Sequence, residues 1–245
     1  MTRGNQGKEY VFICGMNRTG THLLFSLLSG HEKLFVTGIE DAIISAIARG
    51  GPVFEKAIAN KSLGKLYRVL IAYSDFLDLK FMARQGGRDY SKAPMSYEAT
   101  ISLEMDYPAF EEDFFSRITG DDGVALDADT PGDILVSFYQ ALARAFNEED
   151  KKIIVAKPAV GIRQFLEAEP YLGNMKPKII FTTRDPRAIA ASMTRGKGSV
   201  RAAVQEFRTE YESFEALQDK YPVYTCRYED ICTETENTMR QIAEF

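Results

Sequence analysis

Residues 10–14, Tyr-Val-Phe-Ile-Cys, form a short apolar run that leads straight into Gly15-Met16-Asn17-Arg18-Thr19-Gly20-Thr21-His22 and then into a second apolar run over residues 23–28. A strand, a glycine-bearing turn and a helix N-terminus in that order restrict the fold more than any other feature of the chain. The first-turn N–H groups of such a helix lack partners within it, and the aligned peptide dipoles put partial positive charge there. The turn therefore predicts an anion cradle. Its two glycines have the spacing of the ATP-binding P-loop, but that pattern ends Gly-Lys-Ser/Thr. Here Thr21 stands at the lysine position and His22 at that of the magnesium-binding hydroxyl, while a cation lies upstream at Arg18. Such a loop holds a terminal anion through a guanidinium and backbone N–H groups, with no obvious metal ligand. The plain alternative is an ordinary strand–turn–helix connection whose glycines only relieve crowding.

Three further segments read as strands: residues 152–156, 178–183 and 221–228. The runs at 10–14, 152–156 and 178–183 are short, rich in Ile, Val or Phe, and lack strict alternation, which suits strands covered on both faces. Helical spacing separates them, in Leu63, Leu66, Leu70, Tyr73 and Leu77, and again in Val200, Ala203, Val204, Phe207, Tyr211 and Phe214. Strands alternating with amphipathic helices predict an α/β fold, P-loop-like and three-layered, with a central, mainly parallel sheet and helices on both faces. At 245 residues and 45% hydrophobic content, a single domain over residues 1–245 is expected. Residues 85–133 break the rhythm with Gly86-Gly87, Pro94, Pro108 and Asp121-Asp122-Gly123, and read as an irregular insertion or lid. The acidic run Glu111-Glu112-Asp113 within them reads as a solvated face.

A net charge of -5 argues against a nucleic-acid partner held on a broad basic surface. Cys14, Cys226 and Cys232 lack metal-ligand spacing and read as reduced thiols, the first two buried in strands. The first seven residues do not look like a secretory leader, and no apolar run approaches the ~18 residues of a membrane span. A soluble, cytoplasmic protein without a membrane span is the expectation. Its cations are nonetheless patterned. Three strands run into Lys157, Arg184 and Arg227, and the first reaches Arg18 through its loop. Ligands of open α/β sheets sit beyond the carboxyl ends of the strands, so this arrangement suits a ligand with more than one anionic group. Arg184-Asp185-Pro186-Arg187 is the second strong feature, with Ser192 eight residues after Arg184. Asp185 is placed to cap the following helix and Pro186 fits its first position; the alternative is Asp185 as a magnesium ligand after an apolar strand.

On these residues the chain resembles the sulfotransferases that use 3′-phosphoadenosine 5′-phosphosulfate, with more similarity to the tyrosylprotein- and carbohydrate-type and bacterial branch. Their 5′-phosphosulfate loop, Gly-x-x-Arg-Ser-Gly-Thr-Thr, is matched over residues 15–22, with Thr19 for the Ser and His22 for the second Thr. Their 3′-phosphate motif, Arg-Asp-Pro with a Ser eight residues after the Arg, is satisfied by Arg184 and Ser192. Lys157-Pro158 echoes a Lys-Thr-Pro element, and Arg227-Tyr228-Glu229-Asp230 matches a late Arg-Tyr-Glu-Asp element. The resemblance spans residues 10–40 and 150–245. Relatives continue into a Gly-rich basic clamp where this sequence stops at Phe245, and Arg195-Gly196-Lys197-Gly198 is a candidate substitute cover.

The resemblance implies sulfuryl transfer from 3′-phosphoadenosine 5′-phosphosulfate to an acceptor hydroxyl or amine, without a required metal. It assigns Arg18, Thr19, Gly20, Thr21 and His22 to the phosphosulfate, Arg184 and Ser192 to the 3′-phosphate, and Tyr228 to the adenine, with core packing the alternative for Tyr228. Arg18 and Lys157 are implied at the oxygen where negative charge develops. Glu40 is the implied base, one or two residues from the family position, with Asp41 and His22 as rivals. It would lie near the loop if residues 34–37 form a strand beside it; capping of the next helix is the ordinary alternative. Glu229 and Asp230 read as the start of the last helix, and His31 as a loop residue. The acceptor stays open among small molecules, carbohydrates, lipids and peptides. Two other readings stand beside this one: a P-loop nucleotide-dependent kinase, which needs ATP and magnesium, and a noncatalytic nucleotide-binding module.

Overall fold

The computed structural model describes residues 7–41, 43–73, 106–121, 123–158, 161–173, 175–195 and 199–245, with only the backbone of 38–41, 71–73 and 107. Among them five strands form one sheet: β1 (Glu9–Gly15), β2 (Leu34–Asp41), β3 (Ile153–Pro158), β4 (Lys178–Thr183) and β5 (Val223–Arg227). Their order is β2-β3-β1-β4-β5 and every pairing is parallel. Side chains alternate across a pleated sheet, so each central strand feeds two apolar layers. Tyr10, Phe12 and Cys14 of β1 enter one layer, with Ile154 and Ala156 of β3 and Ile179 and Phe181 of β4. Val11, Ile13, Val155 and Ile180 enter the other.

The first layer is closed by α2 (Ile43–Ala59), α3 (Leu63–Tyr73), α4 (Tyr107–Ile118), α5 (Pro131–Ala145) and α6 (Ile162–Ala168), with Phe214 and Leu217 of α8 (Val200–Gln218). The second is closed by α1 (Thr21–Leu28), α9 (Tyr228–Thr233) and α10 (Thr235–Glu244), through Leu24, Phe25, Leu28, Ile231 and Ile242. Between β4 and α8 lies α7 (Pro186–Arg195). Burying one side chain such as Phe12 is worth ~1.5–3 kcal/mol, so the two layers hold the sheet as a rigid floor. The α/β three-layer expectation is what the structure shows.

Several details differ from the sequence reading. A strand does form over residues 34–37, but it extends to Asp41 and pairs with β3, not β1, in the register Leu34↔Ile153. The place beside β1 belongs to β3, whose Ile154, Val155 and Ala156 are buried on both faces, as a central position requires. Lys157 is the penultimate residue of β3, at its carboxyl end. The stretch read as irregular contains α4 and the start of α5. Asp106 caps α4 by accepting from Ala109 N–H at 3.1 Å, and Phe110, Phe114 and Ile118 bury one face. Thr130 and Asp133 cap α5 reciprocally, ahead of Pro131. Pro108 and Pro131 stand in the first turns of these helices, where a missing N–H is harmless, so Pro108 opens a helix instead of breaking one. Asp113 is not on a solvated face: 7% exposed, it pairs with Arg117 at 2.6 Å and Arg144 at 2.7 Å, pinning α4 to α5. On α8, Val200, Val204 and Tyr211 are exposed while Ala203, Glu210, Phe214 and Leu217 are buried, so the apolar pattern had mixed two faces. Leu77 and residues 85–105 lie outside the described residues.

Candidate functional site

A parallel sheet gathers all its carboxyl ends on one edge, and the elements singled out in the sequence meet there. The connection from β1 leaves through α1 into the second layer, while those from β3 and β4 leave toward the first. Strands whose connections part in this way open a crevice at their carboxyl ends. The 16–20 loop follows β1 at that edge.

Gly15 is required by close approach: a Cβ there would lie 2.7 Å from the Thr182 carbonyl oxygen and collide with the Thr182 hydroxyl. Arg18 and Gly20 have φ of 72° and 92°, both left-handed. For a non-glycine such as Arg18 that conformation costs about 1–2 kcal/mol, so the surroundings must hold it. Thr19 does the holding. It is 1% exposed; its hydroxyl donates to the Met16 carbonyl at 2.7 Å and, with that proton committed, accepts from the Thr182 hydroxyl at 2.8 Å. The Thr19 side chain therefore faces into the protein, and what this residue can offer an anion is its backbone N–H. Gly20 is the N-cap of α1 and supplies no side-chain cap, while Arg18, Thr21 and His22 are half-buried around that helix start.

The second turn is built differently. Asp185 accepts from the Arg187 N–H at 2.8 Å and pairs with the Arg187 guanidinium, while Pro186 opens α7. The Arg187 hydrogen bonds hold the Asp185 carboxyl well below its usual range, at about 2. Helix capping is thus the role its carboxylate performs. Arg184, half-buried, turns to the first loop: its Nη1 donates to the Arg18 carbonyl at 3.1 Å. Its guanidinium also lies 4.2 Å from the centre of the Tyr228 ring, a cation–π contact. The same ring packs on Gly20, where a Cβ would meet Tyr228 Cδ2 and Cε2. Tyr228 is thus wedged between the first loop and Arg184. Arg18, Gly20, Arg184 and Tyr228, named separately from the sequence, form one cluster.

Lys157 is 4% exposed near the end of β3, and the backbone of Glu40 pairs with it across the β2–β3 ladder, followed by Asp41 with Pro158. The side chains of Glu40 and Asp41 lie outside the described residues. Ser192 is half-buried in the second turn of α7. Residues 196–198, the candidate cover, lie outside the described residues. Cys14 and Cys226 are buried and not disulfide-bonded, and burial pushes the Cys226 thiol up to about 11, so it stays protonated. His31 accepts from the Lys33 N–H at 3.2 Å in a loop.

Some site-forming residues escaped the sequence reading. Glu229 does more than start α9: its Oε1 accepts from the Asp185 N–H at 2.9 Å. Glu210, buried on α8, accepts from the Ile162 N–H at 2.6 Å and so caps α6; burial raises its pKa. An acid on the buried face of an amphipathic helix was the available signal. Asn17 of the first loop donates to Glu206 at 3.0 Å, tying the loop to α8. Among the described residues, no helix is long and apolar enough to cross a membrane and no group of three or more His, Cys, Asp or Glu is gathered as for a metal.

No protein-family model and no curated protein matches the sequence. Among the solved structures similar to it are two sulfotransferases. One is the sulfotransferase domain from the Synechococcus PCC 7002 olefin synthase, at 15% identity and a TM-score of 0.49, covering 100% of this chain and 75% of that one. The other is the sulfotransferase STF1 from Mycobacterium tuberculosis H37Rv, at 14% identity and a TM-score of 0.46, covering 97% of this chain and 67% of that one.

Proposed function

We propose that this chain is a sulfotransferase that moves a sulfuryl group from 3′-phosphoadenosine 5′-phosphosulfate to an acceptor hydroxyl or amine. The observation that carries the reading is the hydrogen bond from Arg184 to the Arg18 carbonyl, because it joins the two anion-binding motifs into one cluster. Two unrelated turns would have no reason to share a guanidinium. A ligand with an anion at each end fits such a pair.

In this reading the backbone N–H groups of Thr19, Gly20, Thr21 and His22 cradle the phosphosulfate, and Arg184 and Ser192 take the 3′-phosphate. Tyr228 supports the arginine on one side of the nucleotide site. Negative charge grows on the oxygen between phosphorus and sulfur as that bond breaks, and cations aimed there stabilise the transition state above the ground state. Arg18 supplies one charge. Lys157 supplies the second, in a buried position where water screens it little. Glu40, beside Lys157 in the β-ladder, is the base that takes the acceptor proton. The charge neutralisation rests on these side chains, so turnover is expected to survive chelation of divalent metals. The acceptor is a small molecule, carbohydrate, lipid or peptide.

The test has two parts. 3′-Phosphoadenosine 5′-phosphate, and not ATP with magnesium, should raise the melting temperature, since a ligand stabilises the state that binds it. An acceptor library incubated with the donor in EDTA should then yield a product heavier by one sulfuryl group by mass spectrometry. Stabilisation by ATP–magnesium alone would make the chain a kinase. Stabilisation by the bisphosphate with no sulfated product from any acceptor class would make it a binding module.

A further inference from the structure

Glu229 joins the two halves of the site, and we infer that it is the positioning residue for Arg184, an inference that rests on the nucleotide site proposed above. The β4–β5 ladder ends at the pair Thr183↔Arg227. The next main-chain donors of β4 would project from the sheet without a strand to receive them, a cost wherever water is excluded. Glu229 continues the ladder with its side chain, Oε1 accepting the Asp185 N–H at 2.9 Å. Its chain neighbour Tyr228 holds the Arg184 guanidinium over its ring at 4.2 Å. Two successive residues of α9 therefore grip two successive residues of the β4–α7 turn. Tyr228 supports the charged end of Arg184, and Glu229 fixes the backbone from which that arm springs.

The second oxygen of Glu229 strengthens the case. Oε2 is buried, accepts no hydrogen bond among the described residues, and lies 3.9 Å from Arg227 Nε. Among the described residues the carboxylate is thus oriented by the Asp185 N–H at one oxygen and by the Arg227 charge near the other. It leaves the capping of α7 to Asp185 and acts only on the entry to the turn. A residue that tolerated free rotation here would let the Arg184 backbone swing and would lose the aim of the guanidinium toward both Tyr228 and the Arg18 carbonyl.

The experiment measures the affinities of 3′-phosphoadenosine 5′-phosphate and of adenosine 5′-phosphosulfate, which lacks the 3′-phosphate, by calorimetry. The proteins are the wild type, Arg184→Ala, Glu229→Ala, Glu229→Gln, Glu229→Asp and the double variant Arg184→Ala/Glu229→Ala. Glu229→Ala should weaken the bisphosphate roughly tenfold and leave the phosphosulfate within about twofold. Glu229→Gln, which keeps an amide oxygen for the Asp185 N–H, should recover most of the loss. Glu229→Asp, with the charge kept and the arm shortened, should behave like Ala. In the Arg184→Ala background the Glu229 effect should disappear, because the positioned group is gone. Equal weakening of both ligands, full additivity in the double variant, or a Gln variant as poor as Ala would overturn the inference while leaving the nucleotide site intact. If Arg184→Ala itself failed to discriminate the two ligands, the nucleotide site would fall and the inference with it. Should Glu229→Ala not fold, the Gln and Asp variants carry the same comparison.

Discussion

The two turns at the carboxyl edge of the sheet solve the same geometric problem by opposite means. After β1 the chain bends through left-handed backbone at Arg18 and Gly20, and the side chain of Thr19 is spent on holding that bend. The N-terminus of α1 receives no side-chain cap from Gly20, so no carboxylate at that cap offsets its dipole. After β4 the bend needs no left-handed residue; Asp185 caps α7 and Glu229 receives the strand end. The N-terminus of α7 is therefore already neutralised by a carboxylate. On the proposed reading, an anion at the first turn would be met mainly by backbone N–H groups, and one at the second mainly by side chains, Arg184 foremost. Damage to the first turn should then strike folding and chemistry together. At the second it should strike affinity, through one replaceable guanidinium.

The largest expected effect tests the chemistry assigned to the side of the first turn. Glu40→Gln should lower kcat by roughly 10²–10⁴-fold while leaving the affinity for 3′-phosphoadenosine 5′-phosphate unchanged, as single-turnover assays and calorimetry would report. Intact turnover would move the proton to Asp41 or His22. Next comes Gly20→Ala. A left-handed alanine costs about 1–2 kcal/mol and its Cβ meets the Tyr228 ring, so urea unfolding should show roughly 2–4 kcal/mol lost. Nucleotide-induced stabilisation should vanish as well. A mild Gly20→Ala phenotype would mean that the first turn is as forgiving as the second.

The unequal construction of the turns also explains what could be read in advance. β4 was legible to the residue because Ile179, Ile180 and Phe181 are apolar toward both layers and Pro186 marks the next helix. The Asp185 cap was legible for the same local reason. The partners that lock each turn were not, since Thr182 lies 163 residues from Thr19 and Glu229 lies 44 residues from Asp185. No local pattern encodes which hydroxyl or carboxylate folding will bring to a given N–H. Residues 34–41 show the same limit. Their strand could be suspected, yet its place beside β3 depends on the competition among strands for the central positions. The helix at 107–118 was hidden by Pro108, a helix-start residue that reads locally as a breaker.

Arg184→Ala sharpens the contrast from the other side. Loss of a charge-assisted contact should weaken 3′-phosphoadenosine 5′-phosphate by roughly 10- to 100-fold, with kcat at saturating donor far less affected. A fall in kcat as large as that in affinity would mean that Arg184 also serves the chemistry through the Arg18 carbonyl it now binds. A smaller effect is expected for Thr19→Val. It removes the donor to Met16 and the acceptor for Thr182 in a fully buried place, and should cost about 1–2 kcal/mol in urea unfolding. Thr19→Val/Thr182→Val should lose less than the sum of the two single changes, because neither hydroxyl is then left facing an empty partner.

The smallest effect separates the turns by pH. The Asp185 carboxyl titrates near 2 in the folded chain against an ordinary 3.8, because the Arg187 hydrogen bonds favour its ionised form. A carboxyl with a depressed folded value binds its proton more readily when unfolded. Its contribution to stability is therefore complete above 3.8 and declines as pH falls toward 2. Asp185→Asn, compared with wild type by thermal unfolding, should show a lower melting temperature at pH 7 and a gap that narrows through that window. The side chain is partly exposed, so the gap should also shrink in high salt. Thr19→Val offers the matching control, since its hydroxyls do not titrate and its deficit should be the same at pH 7 and pH 3. A pH-dependent deficit in Thr19→Val, or a constant one in Asp185→Asn, would show that the two turns are not held by the different forces their geometries display.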